Sequence, residues 1–147
     1  MLICVRTFQE LDFDALMQVY LEGNRENGED LYPEETPERQ MELALRDCEN
    51  YLRHDFFSNK DACYWIWSED GAYRSALRLE PYGDGLLLEA LETHPDQRRK
   101  GYAKKLISGN ESLLSHFQTK YAVPRKPPLL RLLQAVGLLR GHRRRTI

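Results

Sequence analysis

A chain of 147 residues, 41% hydrophobic and 30% charged, is long enough for one domain with a real core. It carries no apolar run near the roughly 18–20 residues that span a bilayer, and nothing at its start reads as a signal peptide. Three widely spaced cysteines, Cys4, Cys48 and Cys63, fit no metal motif and are expected to be free thiols, in or near the core, in a reducing cytoplasm.

The net charge of −2 is unevenly spread: residues 1–124 hold 14 Lys/Arg against 23 Asp/Glu, whereas residues 125–147 hold seven Lys/Arg and no acid. The segment Leu2 to Phe8, β-branched and aromatic, predicts a first strand. Asp12 or Asp14 can cap the next segment, where Leu16, Val19 and Tyr20 share a helical face. Glu22 to Glu35 contains Gly23, Gly28, two Asn and Pro33, and reads as an acidic loop. Its Glu29, Asp30, Glu34 and Glu35 would attract a cation. Thr36-Pro37-Glu38 is a helix start with cap, N-terminal proline and first-turn acid. Met41, Leu45, Cys48 and Leu52, extended by Phe56, then form a stripe read as core.

Ala62 to Trp67 predicts a strand, and Asp70-Gly71 a hairpin turn. Tyr73 to Glu80 is the return strand. Alternation puts Arg74, Arg78 and Glu80 on one face and Tyr73, Ser75, Leu77 and Leu79 on the other. After the connection Pro81 to Gly85, the run Leu86 to Leu91, apolar except for Glu89, reads as a central strand. Pro95 and Asp96 stop it. Helical spacing resumes at Tyr102, Leu106 and Leu113.

The turn between them carries the chemistry. In Arg98-Arg99-Lys100-Gly101-Tyr102-Ala103, three cations precede a helix start, where propensity favours acids. The first N–H groups of a helix lack partners and its dipole favours negative charge, so the pattern points to a bound anion such as a pyrophosphate. The bland alternative is a solvated basic turn. Preceded by a strand and a proline, the stretch resembles the acetyl-CoA-binding motif of the GCN5-related N-acetyltransferase (GNAT) family, Gln/Arg-x-x-Gly-x-Gly/Ala. The layout of residues 2–117 also resembles that family: strand, two helices, three antiparallel strands, helix.

The resemblance implies a pantetheine arm paired with backbone groups of Leu91, Glu92 and Thr93. It implies a pyrophosphate held by backbone N–H groups of Arg98, Arg99, Lys100, Gly101, Tyr102, Ala103 and Lys104. It also implies direct transfer without a covalent enzyme intermediate. Glu89 is the first candidate for general base and Glu92 the second. A carboxylate on a buried strand should have a raised pKa, and strict alternation puts the two on opposite faces. The competing reading neutralises Glu89 with Arg74 or Arg78. Some members of that family place a catalytic Glu on this strand, by gapless comparison nearer Leu87. His94 reads as a surface residue.

The C-terminal part departs from the family. Lys126 and Leu133 stand where an Asn and a thiolate-protonating Tyr are expected, and two closing strands are missing. Tyr121 to Val123 reads as a short strand and Leu129 to Val136 as a short helix. The charge jump suggests a truncated or frame-shifted tail, against a genuine basic tail.

The expected fold class is α/β, of the α+β type: a mixed, mostly antiparallel central sheet with helices on both faces and incomplete C-terminal strands. Residues 1–123 would form the acetyltransferase-like domain. Residues 124–147 would be a basic, proline-containing segment that completes it poorly or is partly disordered. The expected function is transfer from acetyl-CoA to a small-molecule or protein amine, with no metal and no membrane. The alternative is a non-catalytic domain binding acetyl-CoA or a partner. Nucleic-acid binding through Arg98 to Lys105 and the tail ranks third. A homodimer stays open.

Overall fold

The computed structural model describes residues 1–82 and 85–109, with backbone only at 82, 85 and 86. The expectations for Leu113 and for everything from residue 110 onward lie outside the described residues.

The first strand, β1 (Leu2–Val5), is shorter than expected, because Thr7 caps a 3-10 turn at Phe8–Glu10. Asp12 supplies the cap of α1 (Phe13–Val19), its side chain accepting from the Ala15 N–H. The predicted acidic loop is instead a helix, α2 (Leu21–Leu31). Helix propensity disfavours its two glycines and two asparagines, but tertiary packing prevails. A Cβ at Gly28 would lie 2.6 Å from the Gln40 carbonyl oxygen, so glycine lets α2 approach the next helix. That helix, α3 (Pro37–His54), begins as predicted, with the Thr36 side chain accepting from the Arg39 N–H. The order therefore has three helices before the strands, not two.

Strands β2 (Cys63–Glu69), β3 (Ala72–Tyr82) and β4 (Gly85–Thr93) follow. Asp70 and Gly71 both take positive φ, 53° and 76°, the conformation required between tightly joined strands. After a 3-10 turn at Pro95–Gln97 comes α4 (Tyr102–Ser108). The sheet is antiparallel in the order β1-β2-β3-β4. Among the described residues, no helix is long and apolar enough to cross a membrane.

Each sheet face buries its own cluster. On one, Leu16, Leu52 and Phe56 pack against Tyr64, Ile66 and Ala76. Fully burying a side chain such as Leu52, 0% exposed, stabilises by about 1.5–3 kcal/mol. On the other face, Leu106 and Ile107 of α4 pack against Trp65, Leu77, Leu79 and Leu88. Helices thus cover both faces, as expected. The predicted α3 stripe holds for Leu45, Cys48, Leu52 and Phe56, which lie in or against the first cluster, while Met41 is only half-buried and Leu43 and Ala44 are buried in addition.

Two further expectations change. A register shift at Trp67/Ser68 turns Tyr73 away from Leu77 and Leu79 to the α1–α3 face, where its hydroxyl accepts from the Asp12 N–H at 3.1 Å. Cys4 and Cys63, on adjacent strands with Cα atoms 6.3 Å apart, are joined as a disulfide. Only Cys48 is free, in place of three free thiols.

Candidate active site

The site is built on a fault in β4. Arg78 lies opposite Glu89 and Ala76 opposite Glu92, so Leu77 alone faces both Ala90 and Leu91. That is a β-bulge, one extra residue that bends the strand. Ala90 takes φ 54°, a left-handed conformation costing a non-glycine residue roughly 1–2 kcal/mol.

The bulge corrects the alternation expected for this strand. Glu89 and Glu92 lie on the same face, the one covered by α1–α3, because the extra residue restarts the count between them. Leu91 turns to the α4 cluster instead. Glu89 is spoken for: Arg78 Nε donates to its carboxylate at 3.3 Å, with both side chains 19% exposed. Arg78 also lies 5.0 Å from the Tyr51 ring centroid. Of the two arginines considered as partners for Glu89, the structure pairs it with Arg78.

Two cavities meet between Gly23 and Glu26 of α2 and Glu92 of β4. The first, about 440 Å³, is a groove between α2, α3 and the sheet. Tyr20, Asn24 and Glu26 line one wall, Asp47, Cys48 and Tyr51 the other, and Tyr64, Arg78, Ala90 and Glu92 the floor. Asp47 accepts the Tyr32 hydroxyl proton and a bond from Arg46. The Cys48 thiol is pushed up by burial, which makes it a weak nucleophile. The second cavity, about 420 Å³, is lined by Glu22, Gly23 and Glu26 of α2, by Leu91, Glu92 and Thr93 of β4, and by Arg98 and Ala103. Gly23, Glu26 and Glu92 belong to both.

The residues expected to hold a cofactor divide accordingly. Leu91, Glu92, Thr93, Arg98 and Ala103 line the second cavity; Arg99, Lys100, Gly101, Tyr102 and Lys104 belong to the turn and helix start beside it, outside its lining. Arg99 and Gly101 take φ 64° and 84°, which turns the chain sharply into α4. Arg98 donates to Glu22 at 2.7 Å, closing the second cavity across to α2. That hydrogen bond, above all, raises the Arg98 pKa, and Glu22 and Glu92 add to the effect electrostatically. Lys100 bonds Gln97 at 3.1 Å. Tyr102 donates to Glu69 at 2.8 Å, tying α4 to the end of β2.

An elongated cavity along a strand, lined by Glu22, Glu26 and Glu92 as well as Arg98, thus lies beside a cationic turn and the first N–H groups of a helix, where an anion can sit. His94 stays exposed to intermediate degree, its Nδ1 accepting from the Asp96 N–H at 3.1 Å. Glu29, Asp30, Glu34 and Glu35 are exposed and line neither cavity. The acids at the site are Glu22, Glu26, Asp47 and Glu92. Reading residues 22–35 as a loop hid the first two, which stand four apart on one helix side. Tyr20 was legible only as core.

Comparison with known proteins accords with this geometry. The sequence matches the model of the Acetyltransferase (GNAT) family over residues 25–119. No curated protein matches it. Among solved structures, the PaiA N-acetyltransferase from Thermoplasma acidophilum, in complex with coenzyme A, is similar with TM-score 0.50 and 20% identity. The match covers 79% of this chain and 73% of that one. A ribosomal-protein-alanine N-acetyltransferase from Brucella melitensis biovar Abortus 2308 aligns with TM-score 0.48 and 14% identity, over 86% of this chain and 81% of its own. The structural likeness supports the fold alone. The family model spans well over half of the chain, which therefore belongs to the acetyltransferase (GNAT) family.

Proposed function

We propose that this protein is an N-acetyltransferase that moves an acetyl group from acetyl-CoA directly to a primary amine. One observation carries the reading: the α2–α3 groove and the cavity along β4 share two carboxylates, Glu26 of α2 and Glu92 of β4, and Glu92 is the one on the strand that would carry the acetyl-CoA arm. In this reading the β4 cavity takes the acetyl-CoA arm along the backbone of Leu91, Glu92 and Thr93. The turn from Arg98 to Lys104 takes the pyrophosphate on its N–H groups, and the groove takes the amine.

A protonated amine cannot attack a thioester, so a base must stand where the two ligands meet. Glu92 occupies that junction and acts electrostatically on both Tyr20 and Arg98. Glu89, first choice by sequence, is held by Arg78 and serves to neutralise it. With Arg78 matched by Glu89 and Asp47 by Arg46, Glu26 and Glu92 leave the groove favouring a cationic acceptor.

The test is calorimetric titration with CoA and acetyl-CoA, followed by thiol release with monoamines, diamines and peptide N-termini. Glu92→Gln should lower kcat by about 10²–10⁴-fold and leave acetyl-CoA affinity within about threefold, because the strand's backbone is retained. Binding without thiol release from any amine would favour a non-catalytic acetyl-CoA-binding domain. No binding of either nucleotide would sink the reading.

A further inference from the structure

We propose that Tyr20 is a positioning residue: its phenol holds the β4 bulge at Ala90, and the bulge sets the face from which Glu92 acts. What Glu92 then does rests on the acetyltransferase reading above, while the clamp itself does not.

Three non-glycine residues take positive φ among the described residues: Asp70, Ala90 and Arg99. Asp70 sits in the hairpin turn and Arg99 in the turn before α4, where such backbone is ordinary. Ala90 sits inside a strand, with no turn to impose it. Alanine does not choose this conformation unaided, so the surroundings must enforce it. The enforcing contact is a hydrogen bond from the Tyr20 hydroxyl to the Ala90 carbonyl.

Tyr20 is itself fixed on every side. It joins α1 to α2: its N–H donates to the Leu16 carbonyl at 3.2 Å and its carbonyl accepts from the Asn24 N–H at 2.9 Å. Its ring meets the Tyr64 ring edge-on at 6.0 Å. Two helices and the sheet therefore determine where the hydroxyl lies. Burial first, and then Tyr64, push its pKa well up, so the phenol stays a donor throughout the working pH range. Remove it, and Ala90 can fall back to extended backbone. Strict alternation would then send Glu92 to the α4 side, out of the groove.

The test is a cycle of Tyr20→Phe and Ala90→Gly in the full chain, since glycine adopts positive φ without the penalty. In the native background, Tyr20→Phe should speed amide hydrogen exchange of 89–93 about tenfold, the scale of alanine's left-handed penalty, since the part-buried carbonyl at position 90 can bond water from the groove in either background. Exchange over 63–69 should stay unchanged. CoA affinity should fall by a similar factor. In the Ala90→Gly background the same substitution should change either readout by less than about threefold. Equal effects in both backgrounds, or exchange at 89–93 no faster than at 63–69, would overturn the proposal. If Tyr20→Phe folds only when glycine stands at 90, the clamp stands; if it folds in neither background, Tyr20 is simply core and the proposal is lost. Absence of CoA binding by the wild type, with the exchange pattern as expected, would remove the acetyltransferase reading and keep the clamp.

Discussion

Two glycines on one helix should answer the same substitution with opposite sign. Replacing a helical glycine with alanine ordinarily stabilises by about 0.5–1 kcal/mol, mostly by restricting the unfolded chain. At Gly23 an added Cβ meets nothing within 4 Å, so Gly23→Ala should realise that gain. At Gly28 the Cβ would lie 2.6 Å from the Gln40 carbonyl oxygen and 2.9 Å from its carbon. Both are backbone atoms of α3, which cannot swing aside as a side chain can. Relief requires α2 and α3 to part by several tenths of an ångström. That loosens the Gln40 Nε2 to Tyr32 carbonyl bond, 3.0 Å long, and the Tyr32–Asp47 contact. Overpacking of this kind costs about 1–3 kcal/mol. Set against the propensity gain, Gly28→Ala should lose about 1–2 kcal/mol net. Urea unfolding followed by circular dichroism at 25 °C gives both values. If Gly28→Ala stabilises as much as Gly23→Ala, the close approach of α2 to α3 is wrong, and with it the width of the groove.

Other expectations follow from the same contacts. Arg78→Met keeps the apolar stem but strands Glu89, and should cost about 2–3 kcal/mol, below the range for a fully buried pair because both partners keep some solvent. Adding Glu89→Gln should recover part of that loss, and strictly additive urea midpoints would refute the pairing. Hydrogen bonds from Trp67 and then Tyr102 hold Glu69 below the ordinary glutamate range. Their contribution is therefore complete above that range and is lost as pH falls through the lower, folded value. Glu69→Gln should flatten this part of the acid limb, and parallel stability curves for the two proteins would exclude the contact. Unfolded without reductant, the protein should titrate one thiol per chain, and three after reduction; three in both states would rule out the Cys4–Cys63 bond.

Local chemistry announced most of the fold. Thr36-Pro37, Asp12 and Asp70-Gly71 act through their own backbones, so their effects could be read from neighbours alone. The turn from Arg98 to Ala103 was legible for the same reason. What escaped depends on contacts distant in sequence. Gly28 looks like a helix breaker until Gln40 lies against it. Ala90 carries no signal of a bulge, because the residue that holds it stands 70 positions earlier. Once the bulge is missed, the faces of Glu89 and Glu92 are assigned wrongly. Tyr73 was misplaced by the second irregularity, and the pairing of Cys4 with Cys63 needed the β1–β2 register.

The strand order also dictates a timetable. β2, β3 and β4 follow one another along the chain, so their pairings close short loops. β1 instead pairs Val5 with Tyr64, across α1, α2 and α3. Loop-closure entropy makes that contact dearer than the Asp70-Gly71 hairpin by about 3 kcal/mol, so the meander should assemble first and β1 dock last. During synthesis the order is reversed: β1 leaves the ribosome before the other described elements. Leu2, Ile3 and Val5 must then wait, unpaired, until some sixty more residues have followed them out. The nascent chain is most exposed to wrong strand pairing in that interval, at the edge of the described sheet opposite β4.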